Sequence, residues 1–358
     1  MFNGERLMVT KKILICGPCA AESAAQMDAI ARLMKDVLQG VSAQFDSILR
    51  AGLWKPRSQP SSFQGVGAEG LPWLINAADY LGIPAATEVA QVEHLLAAYQ
   101  AGIRHFWIGA RTTSNPFMVE ALAGTPIADK QSVTWYVKNP TSPDMNLWSG
   151  AVERLKGAGY EHICAIHRGF ALGEHTASVY RNAPMWSQAI EFKRRYPAIP
   201  LLTDASHIAG KADHVPEVAE QAMRMGMNGL MIEVHPDPQT ALSDAEQQLT
   251  PAQLSDLLQH LAAMDTAAQT AQSAELTALR QQIDETDDEL WALLSRRLDI
   301  ARQIGDYKRR HGLSVLQQAR YEEILQRRMA WAKEHGIDPE SAKQIMDIIH
   351  EQSVLKQL

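Results

Sequence analysis

The sequence predicts an α/β chain in two parts: a closed (β/α)8 TIM barrel, then an all-α domain of three helices. Three observations lead there. Short runs rich in β-branched and aromatic residues recur eight times between residues 13 and 234. Segments of helical periodicity fill the intervals, and strand alternating with helix implies βαβ units and a parallel sheet. Past Met264 the strand signals stop, and apolar residues recur at three- and four-residue steps instead.

The strand runs, in order, are Ile13–Cys16, Ser47–Leu53, Ile83–Glu88, His105–Gly109, Ser132–Val137, Ile163–His167, Pro200–Asp204 and Gly229–Val234. Between them Met27, Ile30, Met34 and Leu38 share one helix face, as do Val92, Leu95, Leu96 and Tyr99. Eight such units in this length match a barrel of about 250 residues. An open doubly wound sheet fits less well, because no GxGxxG turn follows any run. The barrel domain is taken as 1–264. Residues 265–275, DTAAQTAQSAE, are small and polar and read as a linker or a frayed helix start. The helical domain is 276–358. Leu276, Leu279, Ile283, Leu290, Leu293, Ile300 and Ile304 predict one long helix to about Arg310, ended by Gly312. A second helix runs from about Gln317 to Glu334. A third starts at Pro339, a favoured first-turn residue, and runs to the C-terminus.

Composition narrows the function. The net charge of −7 argues against a nucleic-acid partner. No apolar run reaches the 18 or so residues of a membrane helix, and the polar start, Met1 to Lys12, carries no signal-peptide pattern. Three cysteines make no disulfide framework, so a reducing cytoplasm is expected.

In a barrel of this kind chemistry sits at the C-terminal ends of the strands. Cys19 follows the first run, Lys55 and Arg57 the second, Arg111 the fourth, Lys138 the fifth, Arg168 the sixth and His207 the seventh. Glu88 ends the third. Glu233 and His235 close the eighth, with Asp244 in the loop beyond. Lys55, Arg57, Arg111, Lys138 and Arg168 are cations from five different strands, which call for a substrate set with several negative charges. Any one alone reads as a solvated surface residue. Cys19, His207, Glu233 and Asp244 make a mixed S/N/O set that suits Mn, Fe, Co or Zn better than Mg or Ca. Singly, Cys19 is an inert thiol and His207 a satisfied core histidine. Cys16-Gly17-Pro18-Cys19 has redox CxxC spacing, but it lies in the first of eight βα units with Cys16 inside the strand.

The runs Gly17-Pro18-Cys19, Lys55-Pro56-Arg57-Ser58, Ser62-Phe63-Gln64-Gly65, Ala86-Thr87-Glu88-Val89, Ile108-Gly109-Ala110-Arg111, His167-Arg168-Gly169, Asp204-Ala205-Ser206-His207 and Glu233-Val234-His235 resemble the type I-beta branch of 3-deoxy-D-arabino-heptulosonate 7-phosphate (DAHP) synthase. The resemblance covers residues 13 to about 263. It implies a metal-dependent barrel that condenses phosphoenolpyruvate with erythrose 4-phosphate. Cys19, His207, Glu233 and Asp244 match that family's metal ligands, with Mn2+ the first expectation. Arg111, Lys138 and Arg168 match its phosphoenolpyruvate contacts, with Arg50 and Lys55 beside them. Arg57 and Ser58 match its contact to the sugar phosphate. Ser58 stands where Thr is usual, and Ala205 where Pro is usual. The resemblance leaves open whether Lys55 or the His207 region handles the aldehyde oxygen's proton. The related 3-deoxy-octulosonate 8-phosphate synthases typically carry Lys-Ala-Asn-Arg where this chain has Lys-Pro-Arg-Ser. A Schiff-base aldolase is a more distant alternative.

In the tail, Arg297 falls inside the apolar stripe of the long helix, where a charge is costly unless paired. Lys308, eleven residues on, lies about 20° around the helix from it, so the two share a face. Arg280 lies about 100° away and suits a second copy of the site. Ser353 and Gln357 share a face at i, i+4. Spacing alone fits a plain dimerisation bundle. Leu279-Arg280, Leu293-Leu294-Ser295-Arg296-Arg297, Lys308, Arg320 and Ser353-Val354-Leu355-Lys356-Gln357 resemble the all-helical class of chorismate mutase. That implies an intertwined homodimer or larger assembly. Arg280, Arg297, Lys308, Arg320, Ser353 and Gln357 would bind chorismate, with Arg280 reaching the partner's site. Gln317 and Tyr321 depart from the family's usual Asp and Glu. Chorismate or prephenate bound by the tail is the expected inhibitor of the barrel.

Overall fold

A computed structural model describes residues 11–55, 62–171, 178–269 and 274–358. The chain divides into two compact units, Met1–Ala267 and Ala268–Leu358.

The first unit is a closed barrel. Its strands are β1 (Lys12–Gly17), β2 (Phe45–Arg50), β3 (Ala85–Glu88), β4 (His105–Ile108), β5 (Thr134–Lys138), β6 (His162–His167), β9 (Leu201–Asp204) and β10 (Gly229–Glu233). All pair in parallel, in the order β1-β10-β9-β6-β5-β4-β3-β2. Between β6 and β9 lie two short strands, β7 (Phe170–Ala171) and β8 (Asn182–Ala183), paired antiparallel. Ile15, Ile48, Ala86, Trp107, Tyr136, Cys164, Ile166, Leu202 and Met231 form one buried cluster, with every barrel strand contributing. The alternate residues pack outward on the helices, as period-two side chains require. At the closing seam Gly229 lies so near β1 that a Cβ would sit 2.0 Å from the Ile13 carbonyl oxygen.

Helices cover the outside: α1 (Ala24–Gly40), α2 (Leu71–Leu81), α3 (Val92–Gln100), the short α4 (Ala110–Thr113), α5 (Pro116–Ala123), α6 (Met145–Gly157), α7 (Trp186–Arg195), the short α8 (Ala205–Ala209), α9 (Val215–Arg224) and α10 (Pro251–Gln269). The side chains of Ser23, Asn115 and Asp144 cap α1, α5 and α6 by accepting from first-turn backbone N–H groups.

Most strand ends shift from the sequence reading by one to three residues, and two differences have a physical cause. β2 ends at Arg50 rather than Leu53. Ala51 and Leu53 are buried although they follow the strand, and between them Gly52 N donates to Cys19 O and Gly52 O accepts from Ala21 N. Helix α10 runs into the stretch read as a linker, through Gln269. Its alanines favour helix as strongly as any residue.

The second unit holds α11 (Ala274–Arg310), α12 (Gln318–Glu334) and α13 (Pro339–Gln357). Both α11 and α12 pack on α13. Asp338 caps α13 by accepting from Ser341 N at 2.8 Å. Much of the apolar stripe stays uncovered in one chain: Leu279, Ile283, Leu290, Leu293, Ile300 and Ile304 are all exposed.

Candidate active site

The strand ends bring Arg50, Lys55, Arg111, Lys138 and Arg168 to one cavity of about 230 Å³, with Glu88, Arg181, Asn182, His207 and Asp244 also on its wall. Arg57 and Ser58 lie outside the described residues.

Each buried cation is held differently. Arg50 is 1% exposed. Its Nη2 donates to Glu233 Oε1 at 3.0 Å, and its guanidinium lies 4.8 Å from the centre of the Trp107 ring. Its Nε and Nη1 have no partner among the described residues. A buried donor left unmade costs about 1–3 kcal/mol, so these N–H groups call for an anion. Lys138 Nζ donates to Asp204 Oδ2 at 2.6 Å, both groups buried. Arg168 Nη1 donates to Asn182 Oδ1 at 2.8 Å. Burial first, then the charges of Arg181 and Arg111, pull the Arg168 guanidinium down to about 10 against the pull of Asp204. A positively charged group that is disfavoured where it stands marks a site built for negative charge.

Beside the cations, Cys19 Sγ and carboxylate oxygens of Glu233 and Asp244 lie within 4.8 Å of one another. Cys19 Sγ donates to Asp244 Oδ2 at 3.2 Å and accepts from Lys55 Nζ at 3.1 Å. Burial, and then Glu233, push the Cys19 thiol up to about 12. Burial also works against the charged form of Asp244, but His207, Arg181 and Lys55 hold it well below the usual carboxylate range. Glu233 is lowered in the same way, chiefly by His207 and Arg50. A thiol and two carboxylates gathered this closely suit a divalent ion of borderline softness.

His207 stands next to this cluster rather than inside it. Its Nδ1 is 3.0 Å from Asp204 Oδ2 and 3.8 Å from Glu233 Oε1. A carboxylate on one ring nitrogen is the usual arrangement for an imidazole whose other nitrogen binds metal. Asp204 also caps α8, accepting from His207 N at 3.1 Å, so β9 and α8 together aim the ring.

Several contributors were not legible in the sequence. Gln247 Nε2 donates to Glu233 Oε2 at 2.7 Å, and Gln248 Oε1 accepts from Cys19 N at 3.0 Å. Arg181 and Asn182 reach the site from the β7–β8 ribbon, whose two-residue strands leave no periodic signal.

In the tail, Arg297 donates to Ser353 Oγ and, at 3.4 Å, to Ile349 O. Lys308 Nζ donates to Gln357 Oε1 at 2.9 Å and to Val315 O at 2.8 Å. These four residues are therefore brought together by α11 and α13. Arg280 is exposed on α11, and Arg320 pairs with Glu323 at 2.6 Å on the surface. Tyr321 donates to Asp347 and stacks on His350 at 3.8 Å.

The barrel and its mouth define a class: a TIM barrel that gathers five strand-end cations at one cavity beside a thiol–carboxylate cluster suited to a metal. Residues 8–270 match the profile of the DAHP synthetase I family, and the chain belongs to that family. Residues 279–358 match chorismate mutase type II, so the chain is a fusion of the two domains. A phospho-2-dehydro-3-deoxyheptonate aldolase of Thermotoga maritima is 30% identical over 253 residues, 69% of this chain and 68% of the relative. The crystal structure of a Thermotoga maritima DAHP synthase superposes with a TM-score of 0.63 at 27% identity, covering 72% of this chain and 70% of that one. A 2-dehydro-3-deoxyphosphooctonate aldolase of Dichelobacter nodosus is 28% identical over 276 residues, 72% of this chain and 92% of the relative.

Proposed function

We propose that the chain is a bifunctional enzyme. The barrel condenses phosphoenolpyruvate, erythrose 4-phosphate and water to DAHP and inorganic phosphate, and the tail rearranges chorismate to prephenate. The observation that carries the first half is the convergence of Arg50, Lys55, Arg111, Lys138 and Arg168 on one cavity beside Cys19, Glu233 and Asp244.

Cys19, Glu233 and Asp244, with His207, would hold the divalent ion, with Mn2+ the first choice and Fe2+, Co2+ or Zn2+ the alternatives. When bound, that ion supplies Lewis-acid polarisation of the aldehyde carbonyl. The rest falls to the chain. The cations hold the phosphoenolpyruvate carboxylate and phosphate, the free N–H groups of Arg50 taking one anion. This fixes the methylene carbon for attack on the aldehyde carbon. Lys55 is assigned to the proton of the new hydroxyl. Its ammonium sits 3.1 Å from Cys19 Sγ. Burial opposes its charge, but Cys19, Glu88 and Glu233 keep its pKa above the ordinary lysine value. Water then adds at C2 of the former enol, and phosphate leaves. Arg57 and Ser58, by the Lys-Pro-Arg-Ser motif, are assigned to the sugar phosphate. That motif favours the four-carbon sugar over arabinose 5-phosphate, the choice of the octulosonate synthases.

For the tail, Arg297 and Lys308 would hold chorismate's carboxylates, with Lys308 and Gln357 on the ether oxygen as its bond breaks. The uncovered stripe of α11 supports a homodimer or larger assembly in which Arg280 serves the partner's site. A second reading has support as well: Tyr321 is tied to Asp347 and Arg320 to Glu323, which suits a prephenate- or chorismate-sensing or dimerising tail without turnover. Chorismate consumption by the full chain without added metal separates the two. Conversion establishes the mutase; none leaves a sensor. The synthase is tested by DAHP formation with manganese, with arabinose 5-phosphate as competitor substrate. Saturating prephenate tests inhibition through the tail, which unchanged DAHP synthesis would rule out.

A further inference from the structure

Two adjacent residues straddle the two halves of the barrel site. Pairing of Asn182 with Ala171 draws the start of β8 across the barrel mouth. Asn182 Oδ1 accepts from Arg168 Nη1 at 2.8 Å, and its Nδ2 donates to the His207 carbonyl at 2.6 Å. One residue earlier, Arg181 Nη1 donates to Asp244 Oδ1 at 3.0 Å and to Gln247 Oε1 at 2.7 Å. Gln247 passes the contact on, donating to Glu233 Oε2 at 2.7 Å. Arg181 thus reaches two of the three clustered donors, one directly and one through an amide.

Asp244 needs such a hold. Its backbone has φ 48°, the left-handed region, which an aspartate enters more readily than most residues but still at some cost. Its second oxygen already accepts from Cys19 Sγ. With Arg181 on Oδ1 and Cys19 on Oδ2, the carboxylate is fixed from both sides.

We propose that Arg181 is a positioning residue for the metal centre, presetting Asp244 directly and Glu233 through Gln247, while Asn182 separately presets Arg168 for the anion. The proposal rests on the reading of Cys19, Glu233 and Asp244 as metal ligands. Arg181 also carries a positive charge that opposes a bound cation. Its side chain is 49% exposed, so water weakens both that repulsion and the charge part of the Asp244 pair, while the half-buried contact to Gln247 and the geometry that the two contacts impose are kept. Orientation therefore outweighs repulsion, and losing Arg181 weakens metal binding.

The test titrates full-length chain with Mn2+ and reads free ion by its electron paramagnetic resonance signal. It adds the phosphoenolpyruvate KM at saturating metal and a thermal melt. Arg181→Met is expected to raise the Mn2+ Kd about 10–100-fold, the usual effect of losing an outer partner of a ligand. Its KM for phosphoenolpyruvate should barely move. Arg181→Lys, which keeps the charge and one donor, should recover part of the affinity, and it remains available should the methionine variant not fold. Asn182→Ala removes the partner of Arg168 and a contact to the His207 backbone, while Asp204 still holds the His207 ring. It is expected to act mainly on KM, with a smaller change in Mn2+ affinity than Arg181→Met. Wild-type chain that binds no Mn2+ would sink the metal reading itself. Wild-type chain that binds while Arg181→Met binds equally or more tightly would overturn the positioning role alone. Equal loss of metal and phosphoenolpyruvate binding in both variants would also overturn it, since the ribbon would then act only as a structural brace.

Discussion

Gly305→Ala probes how closely the tail's anion site depends on one helix contact. In α11, Gly305 faces the last turn of α13, where an added Cβ would stand 2.6 Å from Gln357 Cα and 2.7 Å from its carbonyl oxygen. Backbone atoms cannot rotate away, so the helices must part by about 0.8 Å, the gap to the 3.4 Å where ordinary contact begins. Overpacking of this kind costs about 1–3 kcal/mol. Replacing a helical glycine with alanine returns about 1 kcal/mol. The net loss of stability is then about 0–2 kcal/mol, small enough for the variant to fold. The functional loss should be larger. Gln357 supplies the oxygen that Lys308 holds at 2.9 Å. A displacement near 1 Å in a catalytic constellation costs about 100-fold. The assay follows chorismate consumption and DAHP formation on one preparation, with a thermal melt. The expected result is a fall of about two orders of magnitude in the mutase rate with a small change in Tm. Wild-type mutase activity retained in full, with a raised Tm, would show that the α11–α13 contact does not set the geometry of Gln357.

Three further outcomes follow. Cys19→Ser, or removal of metal by a chelator, should abolish DAHP synthesis while leaving chorismate consumption intact; a Cys19→Ser chain with full synthase activity would take Cys19 out of the site. Lys138→Met takes the ammonium partner from buried Asp204 while His207 remains beside it, and should destabilise the barrel by about 1–3 kcal/mol in urea unfolding. Adding Asp204→Asn should restore much of that stability but not the phosphoenolpyruvate KM. His105 lies at the start of β4, beside the Tyr136 hydroxyl at 3.1 Å, and burial lowers its pKa to about 4. The unfolded chain therefore takes up a proton below pH 6.5 that the folded chain refuses until about pH 4. Stability should fall across that window, by about 2 kcal/mol at pH 5 from this residue. Urea midpoints of His105→Gln at pH 7 and pH 5 check it: the variant should lose less on acidification than the wild type, and an equal loss would count against the assignment.

The barrel was legible because its chemistry repeats with its strands. Cys19, Lys55, Arg111, Lys138, Arg168, His207 and Glu233 each stand just at or past a strand run. A parallel barrel delivers all such positions to one face whatever the loops do. Pairings across the barrel were not legible. That Lys138 meets Asp204, or Arg50 meets Glu233, depends on closure between strands far apart in sequence. The β7–β8 ribbon was missed because two residues carry no period. The end of β2 was misplaced because Ala51 and Leu53 are buried although they follow the strand, and burial alone does not distinguish loop from strand. In the tail, the three- and four-residue recurrence marked the long helix, while Gly312 and Pro339 bounded the other two. It also placed Arg297 and Lys308 on one face, and both prove to be held by α13. The close approach at Gly305 was not legible, since a helix–helix contact of this kind has no local signature.

The two sites handle their cations in different ways, and the difference bears on assembly. At the barrel mouth one chain supplies Arg50, Lys55, Arg111, Lys138 and Arg168 to a single cavity, so a ligand with a carboxylate and a phosphate meets enough positive charge from one copy. In the tail Arg297 and Lys308 of α11 each rest on a neutral oxygen of α13. Burial, and then Arg328 of α12, lower the Arg297 guanidinium, while Arg320 is turned to Glu323. Neutral acceptors are cheap to exchange for a carboxylate, which makes this a site in waiting rather than a closed ion pair. A dicarboxylate whose ether oxygen must also be stabilised asks for more donors than the two held by α13. Arg280 lies on the same helix about 100° round from Arg297, so it cannot turn back to the same site on its own chain. The apolar residues left exposed along α11 give a second copy a surface to cover, and that copy would carry its Arg280 across. By this reasoning the barrel site should survive dilution of the assembly, and the tail site should not.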